Sequence, residues 1–304
     1  FEEEMYLCLN CRACEAVCPS GVKYGEILEA SRAQIEQARK GTPKARVLRK
    51  VVFGGIFTDM RRFRALSAGL RLYQRSPLPR IAKRSGVLKV LGLDQAHELM
   101  PQVSDRFVVP KGETIPARGE WRGRVGLFTG CIMSTAYAEI HEATIRVLTR
   151  NGFEVTLING QGCCGALHVH QGDPDGGRAL ARKNIDAFDT PYLDAIIVNA
   201  AGCGAAMKEY GHLLKDDPEY ADRAARFAER VQDVTEFLAA KGLSAEPGPL
   251  PMTVTYQEPC HLAHAQRIAK QPRQLLKAIP ELKVVEMRES SLCCGSAGIY
   301  NLLQ

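Results

Sequence analysis

The chain has 304 residues, 45% of them hydrophobic and 24% charged, with a formal net charge of +6. That length and balance are those of an ordinary globular protein of two domains, with room for a small third unit. The longest apolar run, Val51 to Phe57, falls well short of the roughly 18 residues that a membrane-spanning helix needs, so no segment is expected to cross a bilayer.

In chain order, residues 1–38 hold a tight cysteine run and then a helix-like stretch from Gly25 to Ala38, with Ile27, Leu28, Ile35 and Ala38 at helical intervals. Residues 39–121 read as a basic amphipathic helix followed by a linker. Phe53, Ile56, Phe57, Met60, Phe63, Leu66, Leu70 and Tyr73 recur near helical spacing, and Pro77, Pro79, Pro101, Pro110 and Pro116 punctuate the linker. Residues 39–90 carry 15 Lys or Arg and one acid, Asp59. Such a block suits an anionic surface, whether lipid headgroups, an acidic partner subunit or nucleic acid. Arg61, Arg62, Arg64, Arg71 and Arg75 flank the apolar face and could lie on a membrane; a solvated helix packed on its own protein or on a partner is the alternative.

From Arg122 the pattern changes to alternating strands and helices. Strands are expected at Val125 to Thr129, Phe153 to Ile158 and Ala195 to Asn199. Helices are expected from Ser134 to Gly152, over about 176–188, and from Pro218 to Ala240. This alternation predicts parallel α/β layering. Arg124 to Cys131 (RVGLFTGC) aligns with Thr253 to Cys260 (TVTYQEPC), and Gly162 to Gly165 (GCCG) aligns with Leu292 to Gly295 (LCCG). The expected architecture is a small ferredoxin-like helical cluster domain plus two repeated α/β cysteine-rich modules, at 122–246 and 247–304, the second incomplete.

The chain has eleven cysteines. An odd count, vicinal pairs and no visible secretory segment favour reduced cytoplasmic thiols holding metal over a disulfide scaffold. Cys8, Cys11, Cys14 and Cys18, followed by Pro19, form C-x2-C-x2-C-x3-C-P, the ligand run of a ferredoxin-type [4Fe-4S] cluster. Structural zinc is the rival, but it uses two cysteine pairs set far apart, which four cysteines in so short a run do not provide. In two-cluster ferredoxins the fourth cysteine of such a run serves the other cluster, so Cys18 calls for partners outside this sequence, the alternative being that all four cysteines close around one cluster. With a first residue that is not methionine, this predicts a chain truncated at its start.

A second candidate metal or redox set is Cys131, Cys163, Cys164 and Cys203, each expected in a loop after a strand, where open α/β folds gather ligands. An incomplete third set, Cys260, Cys293 and Cys294, predicts truncation at the other end as well. Cysteine also serves as a small buried hydrophobe, and that reading stays open, most of all for the third set. His168, His170, His261 and His264 lie near these cysteines, and His261, beside Cys260, could hydrogen-bond cluster sulfurs; for any one of them a ring satisfied by local backbone is the leading alternative. His141 is expected on the surface. There is no G-x-G-x-x-G after a strand and no P-loop, so no flavin, nicotinamide or ATP site is expected, and no catalytic residue set is evident.

The runs CLNCRACEAVCPSGVKY, GQGCCGALHVH, NAAGCGAAMKEYG and LCCGSAGIYNL resemble those of the glycolate oxidase iron-sulfur subunits, within the heterodisulfide-reductase-related cysteine-rich family. The resemblance implies two N-terminal [4Fe-4S] clusters and two cysteine-rich (CCG) modules, in a complex whose flavin-binding subunits oxidise glycolate to glyoxylate. The chain would then be the electron-transfer subunit of an oxidoreductase, passing electrons toward a membrane quinone-type acceptor, cytoplasmic or peripheral at the inner membrane face. The same relay would serve a lactate or glycerol-3-phosphate dehydrogenase complex. Where the heterodisulfide reductase branch ends its module in C-x-x-C, Cys203 here is followed by Gly204, Ala205 and Ala206, which argues against disulfide reduction. A structural-metal protein that binds nucleic acid is the remaining rival, disfavoured by sparse aromatics near the basic run and the lack of any known nucleic-acid motif.

Overall fold

A computed structural model of the chain describes residues 1–39, 47 and 50–295. The early part of the basic block, at 40–46 and 48–49, lies outside the described residues, as does the end of the expected second module at 296–304.

Five strands form the central sheet: β1 Thr114–Ile115, β2 Gly123–Leu127, β3 Phe153–Thr156, β4 Ala195–Val198 and β5 Val231–Asp233, in the order β1-β3-β2-β4-β5. β1 runs antiparallel to β3, and the other pairs are parallel. β4 is buried at all four positions, as befits a strand covered on both faces. Successive side chains alternate between those faces. Ala195 and Ile197 join Val125, Leu127, Leu148 and Phe237 in one core, while Ile196 and Val198 join Phe128, Ile185, Phe188 and Tyr210 in the other. Each fully buried Val, Leu, Ile or Phe among them contributes about 1.5–3 kcal/mol, so two stacked cores make a stable platform for the loops at the strand ends. β2 lies between β3 and β4, so the chain leaves β2 toward one neighbour and later returns on its other side. That reversal opens a crevice beyond the carboxyl ends of the strands.

β6 Met252–Val254 and β7 Leu282–Val284 form a separate parallel pair. Arg124 faces Glu154 in the first sheet, and Thr253 faces Lys283 in the second, so the order strand, single cysteine, helix, strand, cysteine pair occurs twice. The amino-terminal part is helical, with Glu2–Leu7, Ala13–Val17 and Tyr24–Ala38.

Several expected elements differ. The single helix through Phe53 and Tyr73 is instead a π-helical turn, Lys50–Ile56, and a helix, Met60–Arg75. The Asp59 carboxylate caps the second piece by accepting from the amides of Arg61 and Arg62, which starts a new helix there. The linker contains helices Leu78–Arg84, Val87–Val90 and Asp94–Glu98, and its β1 adds an edge to the sheet. The helix opened by Ser134 is two pieces, Ile132–Ala136 and Ala138–Arg150. The long helix from Pro218 is broken at β5, because Val231 pairs with Ile196 and Asp233 then starts Val234–Lys241 with a capping box to Glu236.

Candidate functional site

The loop after β2 carries Cys131, and the loop after β3 carries Cys163 and Cys164. Cys203 is not in a loop but in the first turn of Ala201–Lys208, directly after β4. Buried polar side chains fix these loops. Gln161 accepts from the Thr129 amide at 2.6 Å and donates to the carbonyls of Leu127 and Ile158 at 3.1 and 2.9 Å. Asn184 accepts from the Gly162 amide at 2.9 Å and donates to the Cys163 carbonyl at 2.9 Å, while the Tyr210 hydroxyl donates to the Cys164 carbonyl at 2.8 Å. Gly165 ends the pair at φ +83°, and a Cβ there would lie 3.2 Å from the Gly177 carbonyl oxygen, so this turn needs glycine.

His141 is fully buried, not on the surface. Its Nε2 lies 2.9 Å from the Thr129 carbonyl and its Nδ1 3.1 Å from Asn199 Nδ2. A carbonyl must receive a proton and an amide nitrogen must give one, so the ring is neutral with its proton on Nε2. Burial lowers its pKa, with the Thr129 carbonyl opposing. The ring thereby anchors the loop leading into Cys131.

Cys131 and Cys163 lie with sulfurs 3.6 Å apart. The hydrogen bond from Cys131, then one from Cys164, pushes the Cys163 thiol well below its usual range, with the Gly165 amide assisting at 3.5 Å. Accordingly the bond to Cys163, then burial, pushes Cys131 well above it. Neighbouring thiols and an amide that favour the anionic form of a cysteine are the surroundings that metal and redox ligands need. Met60 and Phe63 pack with Cys131, Cys163 and Leu180, so the basic segment buries one face over this pair.

The amino-terminal run is shaped by left-handed residues Asn10 (φ 53°) and Arg12 (φ 60°), which bend the backbone around Cys8 and Cys11 before the one-turn helix that carries Cys14. The Asn10 amide points at the Cys8 sulfur at 3.4 Å. Amides of Val22, Ser20 and Gly21 lower the pKa of Cys18, in that order with burial opposing after the first two. N–H groups aimed at sulfur favour its anionic form.

One cavity of about 520 Å³ gathers cysteines from all three sets: Cys8 from the run, then Cys131, Cys163, Cys164 and Cys203, then Cys260 and Cys294. Cys11, Cys14, Cys18 and Cys293 lie outside its lining. Burial, then Cys293, pushes Cys260 up to about 11. His261 donates from Nε2 to the Asn10 carbonyl at 2.8 Å, and its ring meets that of His170 edge-on at 5.6 Å. His170 Nδ1 lies 2.9 Å from Glu29. His168 contacts the Phe53 carbonyl at 3.0 Å, and His264 that of Ser291 at 3.0 Å. Of the four histidines, His170 and His261 face the cavity.

Sequence reasoning missed the side chains that clamp these parts together. Arg12, 8% exposed, donates to Glu15 at 3.1 and 2.9 Å and reaches Glu209 of the first module. Glu15 also accepts from the Gly25 amide. Arg267 donates to the carbonyls of Ala16 and Glu15 at 3.1 and 3.3 Å. A charged pair three apart inside a cysteine run was the available signal, but helix surfaces carry many such pairs.

Among the described residues no three His, Cys, Asp or Glu side chains are arranged to hold a single metal ion. The donor set is nonetheless rich in cysteine sulfur and supplied with amides, with Cys131, Cys163 and Cys164 buried and the others half-buried or exposed, and it suits an iron-sulfur cluster, which spreads its thiolates over several irons.

A cysteine-rich α/β fold with such an array defines a protein of the iron-sulfur oxidoreductase class, and comparison with known proteins agrees. The family model described as a cysteine-rich domain matches residues 125–208 and 254–304, and one for the linker region of glycolate oxidase iron-sulfur subunits matches 44–100. The chain is 41% identical to the probable glycolate oxidase iron-sulfur subunit of Bacillus subtilis (strain 168), covering 100% of this chain and 69% of that protein. It is 35% identical to the glycolate oxidase iron-sulfur subunit of Escherichia coli (strain K12), covering 99% and 69%. It is also 28% identical to lactate utilization protein A of Bacillus subtilis (strain 168), over 59% of this chain and 75% of that one. The chain belongs to the family of glycolate oxidase iron-sulfur subunits.

Proposed function

We propose that this chain is the electron-relay subunit of a glycolate-oxidising complex, working beside flavin-binding subunits and delivering electrons to a quinone-type acceptor at the cytoplasmic face of the membrane. The observation that carries this is the cavity in which Cys8 of the amino-terminal run meets Cys131, Cys163, Cys164 and Cys203 and, from the later segment, Cys260 and Cys294. Cys8, Cys11 and Cys14 would hold a [4Fe-4S] cluster, with Cys18 serving a neighbouring one. Cys131, Cys163, Cys164 and Cys203 would hold a further centre, with Cys260 and Cys294 closing over it from the second module and Cys293 set back from the cavity. Bound there, such clusters supply one-electron redox chemistry.

The chain's own residues do the rest. Arg12 and Arg267 fasten the run to both modules, Gln161 and Asn184 hold the ligand loops, and Met60 and Phe63 keep water from Cys131 and Cys163. The test is anaerobic purification of the chain with its partner subunits, followed by electron paramagnetic resonance before and after glycolate. The reading expects acid-labile sulfide and glycolate-dependent reduction; stoichiometric zinc without sulfide would end it. Similarity to a lactate utilization protein favours a second reading in which lactate feeds the same relay, and assaying both hydroxy acids side by side separates the two.

A further inference from the structure

Between Met60 and Leu93 the chain has nine Lys or Arg and no acid. The same segment is where exposed large aliphatics concentrate. Leu66, Leu72, Leu78, Ile81, Val87, Val90, Leu91 and Leu93 are all exposed, eight within residues 66–93, whereas residues 101–246 expose six large hydrophobics in all. Isolated exposed leucines are ordinary, but a dense group marks an interaction surface.

The helix Met60–Arg75 shows how the two properties combine. It turns Met60, Phe63 and Ser67 inward, and Met60 and Phe63 pack against Cys131 and Cys163. Its opposite face presents Arg62, Leu66, Gly69 and Leu72 to the outside. Leu72 is 73% exposed, and beyond the helix Ile81 is 56% and Val90 87% exposed. A solvated helix face would carry mixed charges in place of these leucines. Arg80, Arg84 and Lys89 form no ion pair among the described residues, so their charge is available to an outside anion.

We infer that the segment from Met60 to Leu93 docks on an anionic lipid bilayer, its leucines, isoleucine and valines entering the acyl boundary and its arginines and lysines meeting headgroup phosphates. No helix among the described residues is long and apolar enough to cross a membrane, so the segment lies in the interface plane. The chemistry favours lipid over a protein partner. Protein interfaces centre on aromatic anchors, and the aromatics here, Phe63 and Tyr73, are not exposed. Charge of one sign strewn with aliphatic side chains is the pattern that anionic leaflets attract. Docking of this kind rests on the membrane-acceptor part of the proposed function and leaves the clusters and the substrate untouched.

The test is co-sedimentation of the cluster-loaded chain, alone and in its complex, with phosphatidylglycerol-containing vesicles and with pure phosphatidylcholine vesicles. Binding should be at least about tenfold tighter to the anionic vesicles and should weaken with added salt. The double variant Leu72→Ser/Ile81→Ser and the triple variant Arg80→Gln/Arg84→Gln/Lys89→Gln should each lose most of it. These side chains face outward, and cluster absorbance checks that each variant is folded. No vesicle binding, equal binding to both lipids, or variants that bind like the parent would overturn the proposal. So would protection of 60–93 from hydrogen exchange within a lipid-free complex that ignores vesicles, which would assign the face to a partner subunit. Failure of the relay reading would look different: vesicle binding intact, with no cluster signal or no glycolate-dependent reduction.

Discussion

Nη2 of Arg32 donates a 2.7 Å hydrogen bond to the carbonyl oxygen of Cys8, placing a guanidinium only 5% exposed directly behind a cysteine of the cavity. The same group donates to the carbonyls of Met5 at 2.8 Å and His170 at 3.0 Å, and among the described residues no carboxylate pairs with it. A buried cation without a counter-ion is costly; a bound anionic cluster would supply the missing charge. Arg32→Met should therefore lower the midpoint potential of the cluster at Cys8 by tens of millivolts, on the order expected for deleting one charge across a partly buried gap. Arg32→Lys, which keeps the charge, should leave it nearly in place. Potentiometric titration followed by electron paramagnetic resonance measures both, and equal potentials in Met and parent would refute the electrostatic role.

Arg12 and Glu15 are both nearly buried, and Glu209, 38% exposed at its side chain, completes the triad from the first module. Burial opposes the charge of Arg12, and its two carboxylate partners outweigh that, raising its pKa. Removing one partner of a buried pair strands the other, so Arg12→Met should cost roughly 3 kcal/mol. Glu209→Gln removes the more exposed partner, which water screens, and should cost roughly 1 kcal/mol or less. Chemical denaturation of the loaded protein gives both numbers. Equal losses would mean that the Glu15 contact contributes nothing.

Much of this architecture was legible because local pattern and tertiary demand coincide. The strand expected at Ala195 to Asn199 contains β4, one residue shorter, and that expected at Val125 to Thr129 overlaps β2 over Val125 to Leu127. Cys131, Cys163 and Cys164 were expected at strand ends and are found there. What the sequence hid depends on long-range pairing. Val231 looks helical until Ile196 offers it a neighbouring strand, and His141 looks like a surface residue until Thr129 and Asn199 surround it. The convergence of three cysteine sets on one cavity had no local signature, since it joins residues as far apart as Cys8 and Cys294.

The cysteines of the first module should behave as a unit. Cys163→Ser removes the sulfur that Cys131 and the Gly165 amide contact, and Cys203→Ser removes the proposed ligand carried by the helix after β4. Each should lower iron and acid-labile sulfide by the content of one centre while the signal of the amino-terminal cluster persists. Cys260→Ser should show the same loss if the second module closes the site, and a smaller one if it does not. Iron, sulfide and spectra on the same preparations decide the matter. Full iron retention in Cys163→Ser would mean that the pair is merely packed.

The neutral tautomer of His141 makes a pH prediction with a definite sign. In the folded chain Nε2–H donates to Thr129 and Nδ1 accepts from Asn199, so a second proton would abolish the latter bond and charge a fully buried ring. Its folded pKa is therefore depressed, with burial the leading cause, whereas the unfolded ring titrates near about 6.5. The stability tied to this group is present above the unfolded value. It falls away as the pH drops through about 6.5, because the unfolded state then binds a proton that the folded state refuses. The slope should reach up to about 1.4 kcal/mol per pH unit. His141→Gln, which can still donate to the Thr129 carbonyl but does not titrate, should be less stable at pH 8 yet show a flatter decline between pH 7 and pH 5. Denaturation midpoints of the two proteins across that range measure the difference, and parallel curves would show that His141 takes up its proton without unfolding the loop that carries Cys131.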